Sequence, residues 1–203
     1  MAGSRDFFNR RLHSLLGVIP VGLFLLVHLT VNHFATRGAG SFNKAVNFME
    51  NLPFLIVLEF LLIYLPLLFH AIYGLYIVFT AKNNVGRLSY FRNWMFLLQR
   101  VTGVITLIFL AWHVWETRIR YALGQTELNY DMMHDILSSP VMVVIYLIGV
   151  LSTVFHFANG LWSFMVSWGL TVSPRSQRVS TYFTMIVFLA LAIISVRTIF
   201  AFI

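Results

Sequence analysis

The chain has no cysteine, and only 10% of its 203 residues are charged. The first absence excludes disulfides, thiolate metal sites and iron–sulfur clusters ligated by this chain, so any iron–sulfur chemistry belongs to a partner. The second excludes an ordinary water-soluble domain, in which about a quarter of residues are charged. Acidic residues are scarcer still, 7 against 14 lysines and arginines, and no internal repeat or low-complexity segment stands out. Apolar residues fill 59% of positions. They gather in runs of about 20, the length that crosses the hydrocarbon core of a bilayer.

Five such runs lie near residues 12–35, 54–81, 94–117, 141–170 and 182–203. They predict an all-α membrane protein of five transmembrane helices, folded over residues 1–203 as one integral domain. The first run follows Arg5, Arg10 and Arg11 as in a signal peptide, but it is too long, carries His28 and lacks a small-residue cleavage site, so we read it as a retained helix. Pro53 and Pro140 suit first helical turns, with Asn51 and Ser138 or Ser139 as caps, and Pro174 reads as a stop after the fourth span. Pro20 and Pro66 fall inside spans and are expected to bend them.

An odd number of spans puts the termini on opposite faces. Arg5, Arg10, Arg11, Lys82, Arg87, Arg92, Arg100, Arg175 and Arg178 then share the N-terminal side, against Arg37, Lys44, Arg118, Arg120 and Arg197. The positive-inside rule makes the N-terminus cytoplasmic, in the cell membrane. Of the acids only Asp6 joins that side, leaving a basic face suited to anionic lipid or to a soluble acidic partner. The outer connections carry Phe42, Val46 and Met49, then Tyr130, Met133 and Leu137, at near-helical spacing, and read as interfacial segments.

One histidine stands well inside each of the first four spans: His28, His70, His113 and His156. Ionisable groups are costly there and usually functional. Because the helices alternate in direction, His28 and His113 fall in the outer half, and His70 and His156 farther inward. An up-down-up-down bundle of the first four helices makes helices 1 and 3, and 2 and 4, diagonal neighbours, so each depth receives two facing imidazoles, the axial ligand set of a haem iron. Gly74 and Gly160 lie one turn after His70 and His156, and Gly17 and Gly103 about three turns inward of His28 and His113, leaving room for a macrocycle or for close helix packing. Arg11 and Arg100 are candidates for the propionates of the inner haem or for lipid headgroups. His13, His33 and His134 lie near the interfaces and are not expected to be ligands. Glu59 lies eleven residues before His70, almost three turns, which in a uniform helix puts it on the same face, near the outer haem, as a carboxylate for proton exchange with a quinone or as a helix-start acid reaching water. Glu116, one turn beyond His113, has a weaker claim.

The segments RRLHSLLGVIPVG, HAIYG around His70, TAKN with RNW, LQRVTGVITL, WHVWET around His113 and HFANG around His156 together resemble the dihaem cytochrome b membrane anchors of Gram-positive succinate:menaquinone oxidoreductases. The resemblance spans almost the whole chain. It implies five helices, two haems b on the four histidines, and assembly with an FAD flavoprotein and an iron–sulfur subunit on the cytoplasmic face. Electrons from succinate would pass through the clusters to the inner haem, then the outer haem, and reduce menaquinone. Succinate oxidation itself is then not this chain's chemistry. No nucleic acid is expected among the partners. Other readings are the dihaem anchor of a fumarate reductase, hydrogenase or formate dehydrogenase, and a proton-coupled transporter using the histidines as relays, against which the absence of repeats argues.

Overall fold

In the computed structural model, which describes residues 2–82 and 84–203, the fold is all-α. Among the described residues, five helices are long and apolar enough to cross a membrane: Arg5–Arg37, Leu55–Thr80, Phe91–Ala122, Pro140–Ser167 and Pro174–Phe200. These are the first to fifth spans. Their outward faces are strongly apolar, with Ile56, Phe79, Ile108 and Ile186 among the exposed side chains. Apolar side chains on all sides are what a helix between lipid and a protein interior requires.

The first span comprises α1 (Ala2–Val18) and α2 (Pro20–His33), separated at Ile19. Pro20 has no N–H for the Leu16 carbonyl, and the break falls at the residue before it. A short 3₁₀ turn, Phe34–Arg37, ends this span and leads into α3 (Ala39–Glu50). The second span begins with α4 (Leu55–Leu58), passes through a π-helical segment, Glu59–Tyr64, and continues as α5 (Leu65–Thr80). Pro66 explains the π segment: its ring presses on the carbonyl one turn back, and the wider i→i−5 winding relieves the clash. Pro53 does not occupy the first helical turn; it lies in the preceding turn, and Phe54, in left-handed conformation at φ 58°, leads the helix. Asn51 instead closes α3.

The third span is α6 (Phe91–Val114), a second π segment, Trp115–Ile119, and α7 (Arg120–Ala122). No proline lies here. The Thr117 hydroxyl donates to the His113 carbonyl at 2.6 Å, a back-bond that competes with the backbone ladder and loosens the winding. After α8 (Tyr130–Leu137), the fourth span is α9 (Pro140–Ser167), with Pro140 in its first turn behind Ser139. The fifth, α10 (Pro174–Phe200), starts earlier than its apolar run. Pro174 initiates it, and Ser173 and Ser176 form a reciprocal cap. A proline between two spans satisfies both a stop and a start rule; the capping serines decide for the start.

Helix packing gives the bundle its order. The first span lies against the second and fourth, the third packs extensively on the fourth and touches the second, and the fifth lies outside, along the fourth and the outer half of the first. The two amphipathic outer connections have a protein-facing side. Helices α3 and α8 turn their apolar faces onto the protein, where Phe42, Met133 and Leu137 join Ala35, Tyr146, Ile199 and Phe202 in the main buried cluster. Polar contacts fix the chain end in the same place: the Tyr130 hydroxyl donates to the Ala201 carbonyl at 2.6 Å, and His134 Nδ1 meets the Phe202 carbonyl at 2.6 Å.

Candidate functional site

The four intramembrane histidines meet as two pairs across the bundle. The rings of His28 and His113 are 5.8 Å apart, centroid to centroid, at 81° to each other. Those of His70 and His156 are 6.1 Å apart at 86°. A metal bonded to two imidazole nitrogens at about 2 Å each holds the ring centroids roughly 6 Å apart. Both pairs therefore have a spacing that would admit one metal ion between the two imidazoles, and the cross-bundle pairing follows from the helix order above.

The inner pair is held by the backbone. His70 Nδ1 lies 2.9 Å from the carbonyl of His13, and His156 Nδ1 lies 3.0 Å from the carbonyl of Gln99. Each imidazole thus donates Nδ1–H to a carbonyl and leaves Nε2 with its lone pair free for a metal, the arrangement that fixes tautomer and ring direction in metal sites. In the outer pair, His113 Nδ1 faces the Tyr146 hydroxyl at 3.2 Å. His28 differs: its Nε2 lies 3.3 Å from Nδ2 of Asn32, which also donates to the His28 carbonyl at 2.8 Å.

The glycines line these contacts. A Cβ on Gly17 would overlap the His70 ring, and one on Gly103 would lie 2.9 Å from His156 Cε1. Gly74 and Gly160 face the next layer of side chains instead: their added Cβ atoms would stand 3.2 Å from His13 Nε2 and 3.2 Å from Gln99 Nε2. His13 is accordingly part of the immediate surroundings of His70. It stacks on His70 at 4.0 Å with the planes 8° apart. His33, by contrast, ties the first span to the fifth through Thr198 at 3.0 Å.

The two arginines differ. Arg11 donates to the Ser167 carbonyl at 3.0 Å and sits over the Trp168 ring, where a cation suits the exposed carbonyls at the end of α9. Arg100 is buried and donates one Nη1 bond to the Ala81 carbonyl at 3.1 Å, but its Nε and Nη2 have no hydrogen-bond partner among the described residues. Buried guanidinium donors are costly unless an anion meets them. A carboxylate-bearing group would meet that requirement.

Glu59 lies in the π segment of the second span, whose wider winding invalidates its phase relation to His70. Its carboxylate accepts from Arg118 Nη2 at 2.9 Å, and Arg118 Nη1 donates to Glu50 at 3.0 Å. Two carboxylates thus share one cation across α3 and two π segments, all side chains no more than 25% exposed. Glu116 pairs separately with Arg120 at 3.0 Å. Sequence spacing missed Arg118 and Gln99. The available signal was polarity, since each is a hydrogen-bonding group within a span.

Comparison with known proteins identifies the family. Residues 82–195 match the family model described as succinate dehydrogenase/fumarate reductase transmembrane subunit. The succinate dehydrogenase cytochrome b558 subunit of Bacillus subtilis (strain 168) is 64% identical over 203 residues, covering 100% of this chain and 100% of that protein. With five apolar spans, and polar groups concentrated where the histidines cross the bundle, the chain belongs to the succinate dehydrogenase/fumarate reductase transmembrane subunit family.

Proposed function

We propose that this cytochrome b subunit holds two haems b, one between His70 and His156 toward the cytoplasm and one between His28 and His113 toward the outside, and links a soluble dehydrogenase to menaquinone. The observation that carries the reading is the pair of facing imidazole sets at 5.8 and 6.1 Å. Bound there, the haems would supply one-electron transfer between the soluble donor and the quinone.

The chain's own residues have separate tasks. His70, His156 and His113 present Nε2 to an iron while their Nδ1 atoms are engaged. Arg100 offers Nε and Nη2 to an inner propionate, and Arg11 braces the cytoplasmic end of the fourth helix. Gly17 and Gly103 let the first and third helices approach the inner ligands, while Gly74 and Gly160 make room for His13 and Gln99. At the outer end Glu59, held by Arg118, exchanges protons with the quinone at its carboxylate. The nine-residue basic side orients the N-terminus to the cytoplasm and receives the FAD flavoprotein and the iron–sulfur subunit, while the apolar flanks face membrane lipid as one integral unit.

The test is purification of the assembled complex from membranes, followed by addition of succinate under anaerobic conditions. Co-purifying flavin and iron–sulfur clusters with succinate-driven reduction of haem b support the reading. A haem-containing complex that responds to hydrogen or formate, and not to succinate, replaces the partner assignment.

A further inference from the structure

The two inner clamps are copies of one design. The segment LHSLLGVI, residues 12–19, aligns with LQRVTGVI, residues 98–105, and FHAIYG, residues 69–74, aligns with FHFANG, residues 155–160, both at an offset of 86 residues. At this offset His13 corresponds to Gln99, Gly17 to Gly103, His70 to His156 and Gly74 to Gly160. The sequence therefore does contain a repeat, in a handful of spaced positions that a scan for contiguous similarity passes over.

The structure repeats the contacts as well as the letters. The His13 carbonyl meets His70 Nδ1 at 2.9 Å, and the Gln99 carbonyl meets His156 Nδ1 at 3.0 Å. Gly17 backs the His70 ring and Gly103 backs the His156 ring. Gly74 stands against the His13 side chain and Gly160 against the Gln99 side chain, each at 3.2 Å from a Cβ built there. The first hairpin of the bundle and the second thus grip their ligands in the same way. The register slips by one residue farther out, since His28 and His113 are 85 apart, and the slip follows the break in the first span at Ile19.

One position differs in kind. His13 stacks on its ligand, whereas Gln99 binds by amide hydrogen bonds: Nε2 donates to the His156 carbonyl at 3.0 Å, and Oε1 accepts from Asn159 Nδ2 at 2.7 Å. Asn159 corresponds to Tyr73, which contacts His13 in the other hairpin. Every polar atom of the Gln99 amide is turned toward the helix that carries His156 and none toward lipid, where an unsatisfied amide is costly.

We infer that Gln99 is the positioning residue of His156, the counterpart of His13 in a twofold-repeated ligand clamp, and that its amide holds the fourth helix in the register that presents His156 Nε2 to the inner iron. This rests on the haem-ligation reading proposed above. It predicts a property of the repeat: a histidine at position 99 fits, because Gly160 leaves beside it the space that Gly74 leaves beside His13.

The experiment compares native complex with Gln99→Leu, Gln99→Glu and Gln99→His, reading the low-spin ferric EPR signals and the redox titration of both haems. Two bis-histidine signals in the native complex establish the ligation reading first; their absence defeats that reading separately. Gln99→Leu is expected to move or remove only the signal that His156→Ala also removes, with the other haem serving as the internal measure of folding. Gln99→His is expected to retain both haems at native stoichiometry. If Gln99→Leu does not assemble, Gln99→Glu, which puts a carboxyl oxygen in place of the Nε2 donor to the His156 carbonyl while keeping the side chain's size and the acceptor for Asn159, is read by the same criterion. An unmoved inner signal in the assembled leucine or glutamate variant overturns the inference. So does displacement of the outer signal, or failure of Gln99→His to retain the inner haem.

Discussion

Gly103→Ala adds one methyl group where the inner site has no space for it. The new Cβ would lie 2.9 Å from Cε1 and 3.1 Å from Nδ1 of His156, both on a ring anchored to the Gln99 carbonyl. Neither side can yield cheaply, because the third and fourth helices pack along most of their length and the ring cannot rotate without losing its Nδ1 bond. Overpacking of this kind costs about 1–3 kcal/mol. If that cost falls on the haem-bound form, it corresponds to roughly 5- to 150-fold weaker inner haem retention, at about 1.4 kcal/mol per factor of ten. The assay is haem content by pyridine haemochrome together with EPR of the oxidised complex, with Gly40→Ala as the control, since a Cβ at Gly40 meets nothing within 4 Å. Gly160→Ala should be milder, its nearest neighbour being the end of the Gln99 side chain at 3.2 Å. Gly103→Ala with both haems at native occupancy and an unshifted inner signal would refute the reasoning.

Further outcomes follow from the same geometry. Single alanine replacements of His28 and His113 should abolish one EPR signal, and those of His70 and His156 the other; a variant removing the signal assigned to the opposite pair contradicts the cross-bundle pairing. Glu59→Gln keeps an acceptor for Arg118 but cannot carry a proton. It should lower quinone reductase activity on the order of 100-fold with normal haem spectra, and full activity would remove Glu59 from the quinone site. Arg118→Leu leaves Glu50 and Glu59 facing each other without their cation, which should destabilise the outer end by about 1–3 kcal/mol. Thermal unfolding of the detergent-solubilised complex measures this, and an unchanged midpoint rules out a structural role for the ion pairs.

Helix number, the meeting of His28 with His113 and of His70 with His156, and the level of Gly17 and Gly103 beside the second pair were legible because each depends on a regular rise and an alternating direction, which apolar run length and histidine position reveal. Features that depend on departures from regularity were not. The phase of Glu59 fails because Pro66 induces a π segment between it and His70. The burial of Phe42 and Leu137 could not be read from amphipathicity alone, since an apolar face fits lipid and protein equally well; the C-terminal Phe202 that covers them is distant in sequence. The contact of His13 was not legible either, because its ring stacks on His70, 57 residues away on another helix. The twofold repeat stayed hidden because it is carried by spaced clamp positions, with histidine in one copy and glutamine in the other.

The central claim is that one chain binds two haems b, each between two histidines from diagonal helices. Haem quantification on the purified assembled complex, combined with a potentiometric titration followed in the visible band and by EPR, tests it most directly. The account predicts two haems b per chain and two low-spin ferric signals of equal amount titrating as separate one-electron centres. A single haem per chain, or a high-spin signal showing that one iron lacks a second histidine, would contradict it.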